Sequence, residues 1–179
     1  MSSDAEEPPP QPLALTYEIL SEATIRTGFS CGEHEIDSWF AKDALKEHRK
    51  GTILTTCAYL PGIASPAGFY ALASVAEEVS ALKGQYHRFG RGQYFPCLQL
   101  VFLAVHKRYQ RKGIGTSMVG AVTSLFADIG PKIGLPHLIL VPINDEVIPY
   151  YRDHLGFECY KKDSRMFLSL QAALDAVSA

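Results

Sequence analysis

The run VFLAVHKRYQRKGIGTSMV, residues 101–119, passes from an apolar segment through four cations and two glycines into a second apolar segment. This order predicts a buried strand, a tight turn and the start of a helix. The first backbone N–H groups of a helix have no intrahelical partner, and the helix dipole adds partial positive charge there. Gly113 and Gly115 let a phosphate approach the backbone, and Arg111 and Lys112 add full charges. The segment therefore predicts a pyrophosphate-binding turn.

The flanking sequence predicts strands on both sides of this turn. PCLQLVFLAV, residues 96–105, is a long apolar run typical of a central strand, and HLILVPI, residues 137–143, is a second one. GTSMVGAVTSLFADIG, residues 115–130, lies between them and has the apolar spacing of a helix. The apolar residues of that helix are Met118, Val119, Val122, Leu125, Phe126 and Ile129. A strand–helix–strand crossover predicts parallel pairing of the two strands.

The remaining segments complete an α/β fold with a mixed sheet. TILTTCAYL and AGFYALASVAEEV, residues 52–60 and 67–79, are separated by PGIASP and predict an antiparallel hairpin. The other predicted elements are a strand at 15–20, a helix at 31–51, a short helix at 145–157 that ends near Gly156, a strand at 164–170 and a helix at 171–179. We expect the sheet to be antiparallel early in the chain and parallel around the crossover.

The totals fit one domain of ordinary composition. The chain has 179 residues, of which 47% are hydrophobic and 20% are charged. Residues 1–12 are acidic and proline-rich, and we interpret them as a flexible tail before a domain over 13–179. The N-terminus is unlike a signal or transit peptide, and no apolar run reaches the ~18 residues of a membrane span. We therefore expect a cytoplasmic protein without a membrane partner.

The four cysteines do not form a metal-binding pattern. Cys31, Cys57, Cys97 and Cys159 lie far apart, and no CxxC pair is present. Cys57 and Cys97 fall within apolar runs, which predicts buried free thiols. The sequence predicts neither a disulfide nor a metal site.

Charge is distributed unevenly along the chain. The net charge is −2, which argues weakly against a nucleic-acid binder. Removing the three carboxylates of the tail leaves +1 for residues 13–179. No acidic residue occurs between Val79 and Ala127, but the cations Lys83, Arg88, Arg91, Lys107, Arg108, Arg111 and Lys112 do. The pattern predicts a face that attracts anions, with solvated basic loops as the alternative.

Several classes of glycine turn compete for residues 110–116. The GxxxxGK[ST] sequence of a P-loop is absent, and a dinucleotide-binding GxGxxG lacks its third glycine because Met118 occupies that position. A turn that only joins two elements stays open. The unit Gln110-Arg111-Lys112-Gly113-Ile114-Gly115, however, resembles the Q/R-x-x-G-x-G/A acetyl-CoA motif of the GNAT superfamily of N-acetyltransferases.

The resemblance extends over roughly residues 15–170. VPINDEVIPYYRDHLGFECY, residues 141–160, resembles the strand end, the N-x₆-Y spacing and the terminal GF of the superfamily. FSCGEHEIDSWFAKDALKEHRKG, residues 29–51, and AGFYALAS, residues 67–74, resemble the acetyltransferase toxins of bacterial toxin–antitoxin pairs (TacT-like). The resemblance implies the GNAT-like acyl-CoA N-acyltransferase fold, a central mixed sheet with helices on both faces.

The resemblance also implies a set of site residues. The backbone of Leu103, Ala104 and Val105 would bind the pantetheine of acetyl-CoA where the strand separates from its parallel neighbour. The pyrophosphate would be held by the loop residues Gln110, Arg111, Lys112, Gly113, Ile114, Gly115 and Thr116. Asn144 occupies the position of a cofactor-contacting polar residue.

The general acid implied by the resemblance is a tyrosine. Tyr151 matches the family spacing from Asn144, but four residues separate it from Gly156-Phe157 where the family has three. Tyr150 is therefore the alternative acid. As a second alternative, both tyrosines are packing residues without a chemical role.

The amine that would accept the acetyl group is predicted from the absence of a base in the central strand. CLQLVFLAV, residues 97–105, has no carboxylate to deprotonate an amine. At neutral pH, deprotonating a lysine amine costs roughly three pKa units, or about 4 kcal/mol, whereas deprotonating an α-amine costs about one unit. The α-amine of aminoacyl-tRNA therefore suits a site that has no base. A water relay from Glu77 or Glu78 would remove this argument.

The toxin-like resemblance therefore implies an N-acetyltransferase that blocks translation by acetylating charged tRNA. RNA phosphates would contact Lys42, Lys46, Arg49, Arg88 and Arg91. The implied protein partner is a small DNA-binding antitoxin, and a homodimer is left open. One alternative is the same chemistry on a small-molecule or protein amine, and another is a catalytically silent acyl-CoA- or partner-binding module.

Overall fold

The computed structural model describes residues 14–78, 94–160 and 164–178. Seven strands form one sheet in the order β1-β2-β3-β4-β5-β7-β6. They are β1 (Thr16–Ile19), β2 (Leu54–Tyr59), β3 (Gly68–Glu78), β4 (Tyr94–Val105), β5 (His137–Leu140), β6 (Glu158–Cys159) and β7 (Met166–Ser169). Four α-helices accompany the sheet, namely α1 (His34–Lys42), α2 (Ala44–Lys50), α3 (Ile114–Ile133) and α4 (Leu170–Ser178).

The mixed sheet predicted from the sequence is confirmed. β1 to β4 pair in antiparallel order, and β4 and β5 pair in parallel across the α3 crossover. β3 and β4 are the longest strands and pair from Gly68–Val105 to Glu78–Tyr94. β4 is the fourth of the seven strands in the sheet order and so lies at its centre, as the apolar run at 96–105 predicts.

Helices cover both faces of the sheet. On one face Phe40 and Ala44 from the α1–α2 region pack against Cys57, Phe69 and Ala104. On the other face α3 and α4 pack through a larger cluster that includes Met118, Val122, Phe126, Leu138, Met166 and Ala173. The predicted apolar stripe of α3 is mostly buried, but Leu125 is 38% exposed. α3 also runs three residues past its predicted end at Gly130 and includes Pro131.

The helix predicted over 31–51 is wrong at its start and in its middle. Residues up to Glu33 form a loop, because the Asp37 carboxylate accepts hydrogen bonds from the Ser30 hydroxyl and the Cys31 N–H. The helix then bends at Asp43, where φ is −112°, and divides into α1 and α2. Backbone hydrogen bonds still continue through the bend, from Asp43 N to Trp39 O and from Glu47 N to Asp43 O.

All four cysteines are free. Cys57 and Cys97 are buried as predicted, and Cys31 and Cys159 are half-buried. Among the described residues no group of three or more His, Cys, Asp or Glu side chains is arranged to hold a metal ion. Within the same ranges no helix is long and apolar enough to cross a membrane. The tail through residue 12 lies outside the described residues, so its boundary with the domain stays a prediction.

Candidate active site

A cleft opens where β4 and β5 separate. β5 pairs with β4 only from Cys97–His137 to Leu100–Leu140, whereas β4 continues to Val105. The β3–β4 register shifts at this point, because Ala71 pairs with Phe102 and Leu72 pairs with Leu100. The residue that the shift leaves over, Val101, forms a bulge, which bends a strand and ends regular pairing. The resulting cleft has a volume of about 510 Å³.

The cleft has a strand edge as its floor and two walls. The last six residues of β4, Leu100–Val105, form the floor. One wall is formed by Leu140, Val141, Pro142, Ile143, Val147 and Tyr151. The other wall comes from the loop before α1 and its first turn, with Cys31, Glu33, Glu35 and Ile36, and Gln110 lies beside it.

The backbone of β4 exposes hydrogen-bonding groups to this cleft. His106 N donates to Ala67 O on the β3 side. Val105 O accepts from the Gln110 side chain on the opposite side. Neighbouring residues of a strand direct their N–H and C=O groups to opposite edges, so Leu103 and Val105 face the cleft and Ala104 faces β3. Of the three predicted backbone contacts, two therefore have N–H groups that point into the cleft.

The glycine turn between β4 and α3 has the backbone of an anion-binding loop. Arg111 and Gly113 both have left-handed backbone, with φ of 59° and 82°. Ser117 N donates to Gly113 O and so begins the α3 ladder, which leaves the earlier N–H groups of this 20-residue helix without intrahelical partners. Backbone N–H groups in such a sequence of conformations form an anion-binding concavity. The turn therefore has a backbone that can bind an anion, and its binding of pyrophosphate stays a prediction.

The side chains of this turn have more varied positions than the motif suggests. Ile114 is buried in the core at 1% exposure, so only its backbone can meet a ligand. The Thr116 hydroxyl is hydrogen-bonded to the Tyr150 hydroxyl at 2.7 Å. Lys112 Nζ lies 5.8 Å from the centre of the Tyr109 ring.

Gln110 uses both side-chain donors within the protein. Its Nε2 donates to Cys31 O at 2.7 Å and to Val105 O at 3.0 Å. The amide therefore joins the end of β4 to the loop before α1. The motif spacing does not reveal this link, because the two partners are 79 and five residues away.

The segment with the two candidate tyrosines contains a wide helical turn. A short 3₁₀ turn, Asp145–Val147, is followed by a π-helical turn, Tyr150–His154. The Phe157 N–H donates to Tyr151 O, six residues back. A π turn holds one residue more than an α turn, so it accommodates the extra residue between Tyr151 and Gly156.

The two tyrosines point to different surroundings. Tyr151 lines the cleft, and its ring lies 5.8 Å from the Phe157 ring. Tyr150 turns to the start of α3 and bonds with Thr116. Burial and the neighbouring Tyr150 raise the pKa of Tyr151 to about 12. The phenol of Tyr151 is therefore protonated at neutral pH.

Asn144 acts as a cap rather than as a lining residue of the cleft. Its Oδ1 accepts a hydrogen bond from Glu146 N at 3.0 Å at the start of the 3₁₀ turn. Its neighbour Ile143 does line the cleft. Asn144 thus lies at the cleft rim with its side-chain oxygen already engaged.

The carboxylates of the cleft are ones that the sequence analysis did not identify. Glu33 and Glu35 line its wall from the start of α1. Glu77 is instead buried in an ion pair with Arg165 and pairs across the sheet with Phe95. From Phe95 to Leu103 the strand spans about 26 Å, so Glu77 and the adjacent Glu78 are far from the cleft. The water relay from these two residues is excluded by this distance.

The predicted RNA-contacting cations fall into two groups. Lys42, Lys46 and Arg49 line a shallow groove of the α1–α2 region together with Arg26 and Lys50. Arg49 also pairs with Glu22. Arg88 and Arg91 lie outside the described residues.

Comparison with known proteins identifies the family of this chain. The sequence model of the acetyltransferase (GNAT) family matches residues 16–157, which include β4, the glycine turn and Tyr151. The chain belongs to the GNAT acetyltransferase family. The GNAT family resemblance of the motif Gln110–Gly115 is thereby confirmed over most of the chain.

Relatives of this GNAT chain include toxins. A tRNA-acetylating toxin of Mycobacterium tuberculosis is 28% identical over 144 residues, which are 80% of this chain and 84% of the relative. AtaT in complex with acetyl-methionyl-tRNAfMet has a TM-score of 0.82 and 19% identity, over 92% of this chain and 99% of that chain. An AtaT mutant toxin bound to the C-terminus of the antitoxin AtaR and acetyl-CoA has a TM-score of 0.76 and 18% identity, over 92% and 99% of the two chains. At these identities the two solved structures establish a shared fold.

Proposed function

We propose that this GNAT enzyme transfers an acetyl group from acetyl-CoA to the α-amine of aminoacyl-tRNA and so blocks translation. The observation that carries the proposal is the open edge of β4 at Leu103 and Val105, which faces Tyr151 across the cleft. This arrangement provides a surface for an extended cofactor, hydrogen-bond donors for a carbonyl oxygen and a phenol for a leaving group.

The residues of the cleft fit acetyl-CoA. The left-handed backbone at Arg111 and Gly113 and the start of α3 suit a pyrophosphate. A Cβ added to Gly115 would meet only Val105 Cγ2 at 3.8 Å, so packing within the protein does not require glycine there. Clearance for a ligand is a sufficient reason for it. The predicted cofactor residues Arg111, Lys112, Gly113 and Gly115 would therefore hold the phosphates.

The chain supplies two elements of acyl-transfer chemistry. Bound acetyl-CoA supplies an activated thioester. A cleft-facing N–H of Leu103 or Val105 would donate a hydrogen bond to the carbonyl oxygen, which gains negative charge as an amine attacks. Tyr151 would donate from its hydroxyl to the departing sulfur. Because a thiol has a pKa near 8.5, well below that of the buried phenol, Tyr151 would stabilise the departing thiolate as a hydrogen-bond donor. The proton that the attacking amine loses balances the one that the thiolate gains, so Tyr151 ends the reaction protonated.

The amine must be neutral to attack, and the cleft favours a weakly basic one. Its floor, Leu100–Val105, has no carboxylate. Glu33 and Glu35 lie in the wall at the start of α1, and both are exposed. Water therefore screens their interaction with an approaching ammonium group. The α-amine of an aminoacyl ester loses its proton more readily than a lysine does. The GNAT relative that acetylates tRNA supports the same acceptor.

The groove of Lys42, Lys46 and Arg49 gives an RNA backbone a place to bind. Lysine and arginine neutralise phosphates and release counterions, which stabilises the complex without reading sequence. Charged tRNA is a cytoplasmic substrate, so we expect a cytoplasmic enzyme. The AtaT mutant toxin bound to AtaR supports a small antitoxin as the protein partner.

One experiment tests the acceptor. Purified enzyme is incubated with labelled acetyl-CoA and either aminoacylated or deacylated total tRNA, and the label on the 3′ aminoacyl group is counted. We expect label only on aminoacylated tRNA, together with growth arrest when the protein is produced in cells. A small-molecule amine that reacts in place of charged tRNA would support the first alternative. Acetyl-CoA binding without acetyl transfer to any amine of a broad panel would support the silent module.

A further inference from the structure

The segment Phe29-Ser30-Cys31-Gly32 is part of the toxin-like resemblance and forms one edge of the cleft. The Phe29 ring lies among three aromatic rings, 5.0 Å from Phe40, 5.3 Å from Phe69 and 5.6 Å from His106. Gly32 has a φ of 108°, and a Cβ there would lie 3.2 Å from Lys107 Cε. We refer to residues 29–33, which end at the start of α1, as the 29–33 loop.

The 29–33 loop is held from the α1 side by one carboxylate. Asp37 Oδ1 accepts from Cys31 N at 2.7 Å, and Asp37 Oδ2 accepts from the Ser30 hydroxyl at 2.8 Å. Both oxygens of the side chain therefore bind consecutive residues of the loop. Hydrogen bonds to an ionised acceptor are stronger than those between neutral groups.

The loop is held from the β4 side by the turn that follows the strand. Lys107 N donates to Ser30 O at 2.8 Å. Gln110 Nε2 donates to Cys31 O at 2.7 Å and to Val105 O at 3.0 Å. Cys31 is thus bound through its N–H to Asp37 and through its C=O to Gln110, and its side chain lines the cleft.

We infer that Asp37 and Gln110 are positioning residues that fix the 29–33 loop as the acceptor-side wall of the cleft. The inference rests on the proposed acetyl transfer. Both donors of the Gln110 amide are used in this link, which leaves that side chain only an acceptor oxygen and therefore no group to bind a phosphate. Gln110 acts by holding the loop, and with it Glu33 and Glu35, at a fixed distance from Leu103 and Val105.

Cys31 reports on the loop without requiring catalysis. It is half-buried, and burial raises the pKa of its thiol to about 11, so it should react slowly while Asp37 and Gln110 hold the loop in place. Iodoacetamide labelling of Cys31, followed by mass spectrometry, tests the inference, with half-buried Cys159 as the internal control. In Gln110→Glu or Asp37→Ala the Cys31 rate should rise at least roughly tenfold, because each variant removes two hydrogen bonds that hold the loop. The Cys159 rate should stay at the wild-type value.

The conservative variant separates positioning from charge. In Asp37→Asn the amide oxygen can still accept from Cys31 N, and the amide nitrogen can donate to the Ser30 hydroxyl. Both Asp37→Asn and Asp37→Ala remove the carboxylate, which contributes to the raised pKa of the Cys31 thiol, so the difference between the two variants isolates the loop. Labelling of Cys31 should therefore be clearly slower in Asp37→Asn than in Asp37→Ala, and it should stay at the wild-type rate in the control Asp128→Asn on the outer surface of α3. Wild-type labelling of Cys31 in both Gln110→Glu and Asp37→Ala would overturn the inference.

Kinetics show whether the loop serves the acceptor. In Gln110→Glu and Asp37→Ala, kcat/KM for the acceptor should fall about 10- to 100-fold, as small misplacements of reacting groups do. The Kd of acetyl-CoA, measured by calorimetry, should stay within about twofold of wild type in Asp37→Ala, because Asp37 lies behind the loop and does not line the cleft. The double variant should be no slower than the slower single variant, since both changes release one loop.

The outcomes of the two proposals are distinguishable. Weakened acetyl-CoA binding in Gln110→Glu, with unchanged Cys31 labelling, would assign Gln110 to the cofactor and overturn positioning. If the wild-type enzyme does not acetylate charged tRNA, the proposed acceptor fails. The labelling comparison and the kinetics with whichever amine the panel identifies then still decide the role of the loop.

Discussion

The hydroxyl of Tyr151 is the single group in the cleft whose removal should most affect chemistry. We expect Tyr151→Phe to lower kcat by roughly 100-fold or more, the usual contribution of a positioned proton donor, with an unchanged Kd for acetyl-CoA. The matched control is Tyr150→Phe, which removes the bond to Thr116 outside the cleft and should change kcat by less than about threefold. Steady-state thiol release measures both variants. If Tyr151→Phe stays within twofold of wild type, or Tyr150→Phe is the slower variant, the assignment to Tyr151 fails.

Gly115 tests the pyrophosphate turn at the scale of one Cβ. Because the nearest atom to an added Cβ is Val105 Cγ2 at 3.8 Å, Gly115→Ala should leave Tm unchanged or slightly higher. The KM for acetyl-CoA should rise roughly tenfold, about one lost hydrogen bond, because the methyl group occupies the space of a phosphate. Gly120→Ala is the control, since it lies on the same helix with no atom within 4 Å of its Cβ. An unchanged KM in Gly115→Ala would place the phosphates elsewhere.

At the scale of elements, the α1–α2 region connects the cleft to the cationic groove. Lys42→Ala with Lys46→Ala removes two charges from the groove. We expect a higher KM for charged tRNA and a salt dependence of binding whose slope is weaker by about 0.9 for each phosphate that the variant no longer neutralises. Binding of acetyl-CoA should not change. Lys132→Ala, which removes an exposed cation of α3 paired with Asp128, is the control. Equal effects in both variants would indicate a general charge effect instead of a groove.

The element predictions succeeded where apolar periodicity is long and failed where side chains redirect the backbone. β4 and α3 follow from patterns of ten or more residues. The loop before α1 does not, because the bonds from Ser30 and Cys31 to Asp37 replace the helical ladder expected there. The bend at Asp43 does not either, since backbone hydrogen bonds continue through it and no apolar pattern marks it. The π turn at Tyr150–His154 could be anticipated only as a spacing anomaly between Tyr151 and Gly156. The sequence indicated one residue too many, and only the structure shows how the backbone accommodates it.

At the scale of the molecule, the cleft combines segments that are distant in sequence. The family resemblance pointed to Leu103, Val105 and Tyr151, all of which line the cleft, because its motifs lie at the end of β4 and shortly after β5. It missed the wall with Glu33 and Glu35, which α1 brings from about 70 residues upstream. Contacts between such distant segments depend on tertiary packing that no local pattern records. Gln110 was found through its motif, but its two bonds to backbone carbonyls were not.

His137 links the stability of the whole domain to pH at the sheet end remote from the cleft. It is buried at the start of β5, its Nδ1 is bonded to the Tyr160 hydroxyl at 3.0 Å, and it packs against Phe95 and Phe167. Burial lowers the pKa of His137 from 6.5 to about 4. The folded state therefore prefers the neutral ring, so this stabilisation is complete above pH 6.5 and is lost as the pH falls towards 4.

Urea unfolding of wild type and His137→Phe at pH 7 and pH 5 measures this contribution. Between these two values the wild-type free energy of unfolding should fall by about 2 kcal/mol more than that of His137→Phe, which cannot be protonated at this position. The Glu77–Arg165 ion pair at the same end of the sheet is present in both proteins, so its contribution cancels in the comparison. Acetyl-CoA binding at pH 7 should be equal in the two proteins, because the cleft begins at Leu100, whereas His137 pairs with Cys97 at the other end of the β4–β5 pairing. Parallel pH dependence of unfolding in wild type and variant would show that another group controls acid stability.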